Sequence, residues 1–174
     1  MKIQTKRLVI TEFDISMATD VHKNSLDDDN RRFLPDEVFE NVAQAKDAIE
    51  YLISVYKTGE GPLVYPVLLH NGTNIGYVQL IPIEHGYEVG YHIGRSYTKK
   101  GYATEALKAF VKYMMREKDI DKVYAICMAE NIASVRVLEK CGFTKVYEGL
   151  GEYQGRVKNI VKYFFIDRDQ LLKP

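Results

Sequence analysis

The residues best placed to do chemistry lie in the run Ser96-Tyr97-Thr98-Lys99-Lys100-Gly101-Tyr102-Ala103-Thr104-Glu105-Ala106-Leu107. Two lysines and a glycine stand directly before a strongly helical stretch. A helix N-terminus carries roughly half a positive charge and about four unpaired backbone N–H groups, so it is a ready anion site. Gly101 lacks the Cβ that would keep an anion off the backbone, and it accepts positive φ where a loop folds into a nest. Lys99 and Lys100 add charge, and Thr104 puts a hydroxyl in the first helical turn. The pattern is not a P-loop. Taken alone it reads either as an anion cradle or as an N-cap glycine beside two solvated lysines.

Other chemistry-bearing residues form weaker patterns. His22, His70, His85 and His92 make no metal-spaced pair, and no metal is expected. Asp27-Asp28-Asp29 lacks the glycine and glutamate of a calcium loop and reads as a solvated charge run, with the option of attracting a cationic amine. Cys127 and Cys141 are not spaced as CxxC and read as buried, reduced thiols. Gly149 to Gly155, "GLGEYQG", nearly matches a dinucleotide glycine pattern. It follows a strand but precedes another strand, so it reads as a hairpin turn.

These residues need elements to hold them. The chain has 174 residues, 46% hydrophobic and 28% charged, with 24 basic and 24 acidic side chains. That favours one domain over 1–174, and the zero net charge argues against general nucleic-acid binding. No apolar run reaches the ~18–20 residues of a membrane span, and the start has no long apolar segment, so a cytoplasmic protein is expected. Alternation predicts a first strand from Lys6 to Phe13. Ser16 is placed to cap a short helix to about Ser25. Asn41 opens a helix whose Val42, Ala45, Ile49, Leu52, Ile53 and Tyr56 share a face, and Thr58 to Pro62 stops it. Three hairpin-linked strands follow at Leu63–Leu69, Ile75–Ile83 and Tyr87–Ile93. A helix then runs to about Lys118 with Ala103, Ala106, Leu107, Phe110, Val111 and Met114 inward. Val123–Met128 is a strand, Ile132–Lys140 a helix stopped by Gly142, and Phe143–Glu148 and Val157–Ile166 close the chain as strands. The order is mixed α/β.

Three segments, in order, resemble the GNAT N-acetyltransferase superfamily, and within it the RimJ/RimL-like ribosomal-protein N-terminal acetyltransferase branch. Thr5 to Phe13, "TKRLVITEF", is similar to that branch's "TERLxLRxF" opening. "EVGYHIGRSYTKKGYATEAL" is similar to "EIGYxIxxxxxGxGYATEAL". "ENIASVRVLEKCGF" is similar to "NxxSxxVLEKxGF". The resemblance covers nearly the whole chain. It implies the acyl-CoA N-acyltransferase fold, a mixed and mostly antiparallel sheet flanked by helices. It also implies acetyl-CoA as cosubstrate and an amine or protein N-terminus as acceptor, in a monomer or homodimer. The pyrophosphate loop of the family reads Gln/Arg-x-x-Gly-x-Gly/Ala. Here Thr98 replaces the first residue, and Lys99 stands where a second glycine is common. Gly101 and Ala103 keep the last Gly and the Ala, with Lys100 and Tyr102 at open positions and Thr104 following.

The resemblance also assigns roles. Acyl transfer to an amine needs an oriented acyl group, stabilisation of the developing oxyanion, and removal of a proton from the amine. The backbone of Tyr91, His92 and Ile93 is expected to hold the acetyl and pantetheine end. Alternation places Glu88, Gly90 and His92 on one strand face, toward the cleft. Glu88 is the candidate general base, through a water, with His92 as rival. Many family members carry a tyrosine acid seven positions after the asparagine, where this chain has Leu138. Ser134 is the substitute, and Asn131 is expected on the pantetheine arm. The competing reading is a non-catalytic CoA-binding or sensing module.

Overall fold

The structure is a computed structural model describing residues 1–167. In chain order the elements are β1 (Lys2–Gln4), β2 (Leu8–Thr11), α1 (Ala18–Ser25), α2 (Asp28–Phe33), α3 (Val42–Thr58), β3 (Leu63–Leu69), β4 (Asn74–Ile83), β5 (Gly86–Ile93), α4 (Tyr102–Lys118), β6 (Lys122–Met128), α5 (Ile132–Lys140), β7 (Thr144–Tyr153) and β8 (Arg156–Ile166). The strands form one sheet in the order β1-β2-β3-β4-β5-β6-β8-β7. Every neighbouring pair is antiparallel except β5 and β6. That parallel pair is joined at a single register position, Glu88 opposite Tyr124, so the sheet opens beyond it. No helix of the described residues is long and apolar enough to cross a membrane.

The main core sits between the sheet and α4. Ala106, Leu107, Phe110, Val111, Met114 and Met115 are its inward face, with Tyr65 tilted on Phe110 at 5.8 Å between centroids. A smaller cluster of Phe13, Ala18, Ile49 and Val64 joins α1 and α3 to β3. Val64 and Tyr65 fall in different clusters because successive strand residues face opposite sides. Asn41 caps α3, accepting from Gln44 N at 2.9 Å, and Gly59 ends it at φ 72°. Val42, expected on the buried face of α3, is instead 41% exposed, because the first turn overhangs the core.

Four expectations on element boundaries change. Of the strand expected from Lys6 to Phe13 only Leu8–Thr11 pairs, as β2; a separate short strand, β1 at Lys2–Gln4, precedes it, and Thr5 N between them donates to Leu8 O at 2.9 Å. The cap before α1 is Asp14, which accepts from Ser16 N at 2.9 Å and starts a 3-10 turn that feeds the helix. Asp27-Asp28-Asp29 is not a loose charge run: Asp27 caps α2 by accepting from Asn30 N at 2.8 Å. Finally, Gly149 to Tyr153 is strand, and only Gln154 and Gly155 form the turn, at φ 50° and 69°. Two successive left-handed residues make the tight turn that matches strand twist.

Candidate active site

The opening between β5 and β6 leads to a cavity of about 630 Å³ that runs to the start of α4. Gly101 precedes α4 at φ 79° and Lys99 adopts φ 61°. A lysine therefore takes the left-handed conformation that glycine adopts freely, at a cost on the order of 1 kcal/mol. The Cβ of any residue at Gly101 would also meet Arg7 Nη2 at 3.4 Å. His92, Ile93, Thr98, Lys99, Gly101 and Thr104 line this cavity, together with Tyr102 and Ala103. Lys100 is not among them. Its Nζ turns back to Ser96 O at 3.2 Å and lies 5.8 Å from the Tyr97 ring centre. The expected point charge at Lys100 thus falls outside the cavity. Arg136 and Lys140 on α5 join Lys99 in supplying positive charge from the walls.

A second cavity, of about 310 Å³, adjoins it along β5. Tyr91, Asn131 and Ser134 line both, so the two meet there. Glu88 lines the smaller cavity, with Glu37, Glu152 and Tyr153. Burial raises the Glu88 carboxyl above its ordinary range, against a lowering pull from Lys162. Burial, helped by Asp36, pushes Glu37 up to about 7. Burial also raises the Tyr153 hydroxyl to about 12, with Glu37 and Glu88 among the neighbours that reinforce it. The carboxylates thus surround a site where a positive charge would be welcome.

At the junction, Tyr91 Oη lies 2.8 Å from Ser134 Oγ and 2.9 Å from Ser134 O. Ser134 is itself held at the start of α5, its N–H donating to Asn131 Oδ1 at 3.1 Å. Asn131 is therefore the cap of α5 as well as a cavity residue. Leu138 is 1% exposed and packs in the main core, so no hydroxyl comes from that position. Burial raises the Tyr91 hydroxyl far above its ordinary value, with the hydrogen bond to Ser134 opposing. Tyr91 stays protonated, and its hydroxyl can both donate to and accept from Ser134.

His92 is engaged otherwise than as a free base. Its Nε2 lies 3.5 Å from Asp27 Oδ2, and its ring packs on Tyr77 at 5.8 Å. The same Asp27 oxygen accepts from Arg95 N at 3.1 Å. Burial would raise the Asp27 carboxyl, but His92 and the N–H groups of Asn30 and Arg95 outweigh it and hold it below the ordinary carboxylate value. Asp27 thereby ties α2 to the end of β5. Ile93 is buried and lines the larger cavity. Cys127 and Cys141 are free and buried, and burial pushes both thiols up to about 11. Neither is a ready nucleophile.

Residues 7–144 match the Acetyltransferase (GNAT) domain. The chain belongs to that family, and its fold is the acyl-CoA N-acyltransferase fold. It is an N-acetyltransferase. The N-acetyltransferase YnaD of Bacillus subtilis is 32% identical over 148 residues, covering 83% of this chain and 84% of that protein. A GNAT-family acetyltransferase from Bacillus anthracis superposes with a TM-score of 0.80 at 26% identity, over 95% of this chain and 98% of the other. RimL, a ribosomal L7/L12 α-N-protein acetyltransferase solved with coenzyme A, superposes with a TM-score of 0.81 over 95% of this chain and 98% of that one. Its 21% identity makes that a likeness of fold.

Proposed function

We propose that this enzyme moves the acetyl group of acetyl-CoA directly to a primary amine, with both substrates bound at once. The observation that carries this reading is the split polarity of the two joined cavities. The larger one carries Arg32, Arg95, Lys99, Arg136 and Lys140 against Asp27, Asp29 and Glu130, and with the α4 N-terminus this excess of positive charge suits an anionic acyl donor. The smaller one, with Glu37, Glu88 and Glu152, suits a cationic acceptor. They meet at Tyr91 and Ser134, where the thioester would lie. The acceptor is then a small amine or a protein N-terminus, and the likeness to RimL supports placing the chain beside that branch.

In this reading the backbone of β5 beyond Glu88, free of its β6 ladder, holds the acetyl group and steadies the oxyanion. An alkyl amine arrives protonated at neutral pH. Glu88 takes one proton through a water, the amine nitrogen bonds to the thioester carbon, the carbon–sulfur bond breaks, and the second proton left on the nitrogen passes to the departing thiolate, which leaves as the thiol. Ser134 Oγ donates a hydrogen bond to the departing thiolate. An alkyl thiolate is a weaker base than an alkoxide, so Ser134 stabilises the sulfur without surrendering its proton. Asn131 keeps Ser134 at the junction and faces the pantetheine arm. His92 contributes its backbone, its ring being committed to Asp27.

The test is thiol release against a panel of amines. Glu88→Gln is expected to lower kcat by roughly 10²–10⁴-fold while leaving acetyl-CoA affinity unchanged. Unaltered kcat removes Glu88 as base. Acetyl-CoA binding with no thiol release for any amine would favour a binding module.

A further inference from the structure

Glu105 sits in the first turn of α4, where a carboxylate favours the helix but opposes a bound diphosphate. Its carboxylate does not cap the helix. Oε1 accepts from Thr5 Oγ1 at 2.7 Å and Arg7 N at 3.0 Å, and Oε2 lies 2.6 Å from both Arg7 Nε and Arg7 Nη2. The donors come from the turn between β1 and β2, about a hundred residues away in sequence. Burial would raise Glu105, yet these donors hold it below the ordinary carboxylate value, so it stays ionised and neutralised. The third nitrogen of the guanidinium, Nη1, donates to Lys100 O at 2.8 Å, and its Cζ lies 4.6 Å from the Tyr102 ring centre. Arg7 therefore grips the chain on both sides of Gly101.

The consequence follows from the planar trans peptide. The Lys100 carbonyl and the Gly101 N–H point in opposite directions. With the carbonyl fixed on Arg7, the Gly101 N–H is aimed away from Arg7, toward the cavity that Gly101 lines and Lys100 does not. The guanidinium uses Nε, Nη1 and Nη2 on protein partners, so Arg7 acts through the loop.

We propose that Arg7 is a positioning residue of the acyl-donor site: by clamping Lys100 O and Glu105 it orients the Gly101 N–H and cancels the carboxylate beside a diphosphate ligand. This rests on the reading that the loop before α4 receives the cofactor diphosphate. The two motifs "TKRL" and "GYATEAL" are then halves of one device.

Titration calorimetry with CoA, and with pantetheine, which lacks the diphosphate, tests it. Arg7→Met is expected to raise the CoA dissociation constant roughly tenfold or more, with the pantetheine constant nearly unchanged. In turnover the KM for acetyl-CoA rises while kcat at saturation holds. Arg7→Lys keeps the charge without the fork and is expected to fall between, and it serves if Arg7→Met fails to fold. CoA constants within about twofold of the parent in the folded variants would overturn the proposal, as would equal losses for both ligands. A parent enzyme that binds no CoA sinks instead the reading of the site.

Discussion

The Tyr91 hydroxyl has one proton and two acceptors within reach, Ser134 O and Ser134 Oγ. When it donates to Oγ, the serine proton is free to turn toward a leaving sulfur. When it donates to the carbonyl, Ser134 can spend its own proton on Tyr91. Ser134→Ala is expected to lower kcat by about 10–100-fold, the worth of a hydrogen bond to a charged group, with Tyr91→Phe losing less. Equal kcat in Ser134→Ala and parent would remove Ser134 from catalysis. Glu37 makes a different prediction. Its folded value is about 7 against an ordinary 4.5, so the folded state holds the extra proton between those pH values. The stability it contributes is full below 4.5 and is lost as pH rises through 7. Melting curves should show the parent losing on the order of 3 kcal/mol relative to Glu37→Gln across that window. A flat difference would show that Glu37 is solvated.

At the scale of elements, the site depends on where pairing stops. β5 and β6 share one register position and then diverge, and the walls of the two cavities come from what fills the gap: α2, α5 and the β7–β8 hairpin. α2 is only six residues long, too short to persist without tertiary support. Its anchor is Asp27, which caps it and reaches across to His92 and Arg95. Asp27→Ala is expected to cost about 1 kcal/mol of stability from the lost cap and to raise the KM for both substrates, because α2 walls the larger cavity and its C-cap Leu34 lines both. A fall in melting temperature with both KM values unmoved would reduce α2 to scaffolding.

Across the whole molecule, legibility followed periodicity. Strands β3 to β6 and helices α3 to α5 announce themselves by alternation, helical spacing and stop residues, and they stand within a residue of where the sequence puts them. β1 escaped because three residues carry no pattern, and α2 because an acidic N-terminus followed by two arginines looks like solvent-facing charge. The wall of the larger cavity was readable because much of it is contiguous, from Thr98 to Thr104 without Lys100 and from Asn131 to Ser134. The smaller cavity was legible only at Glu88. Glu37, Glu88 and Glu152 come from three distant segments, and nothing short of the folded sheet brings them to one cavity. Glu152 and Tyr153 were further hidden in a glycine-rich stretch that reads as turn but pairs as strand. The zero net charge likewise conceals a molecule whose two cavities have opposite polarity.

The most direct test of direct transfer follows the acetyl group itself. Acetyl-CoA labelled in its acetyl group is mixed with the enzyme and an accepted amine, and the intact masses of protein and amine are read over the first turnovers. The account predicts that the label appears on the amine, in step with thiol release, while the mass of the protein never changes. Label accumulating on the protein, as an acyl-cysteine at Cys127 would require, would contradict it.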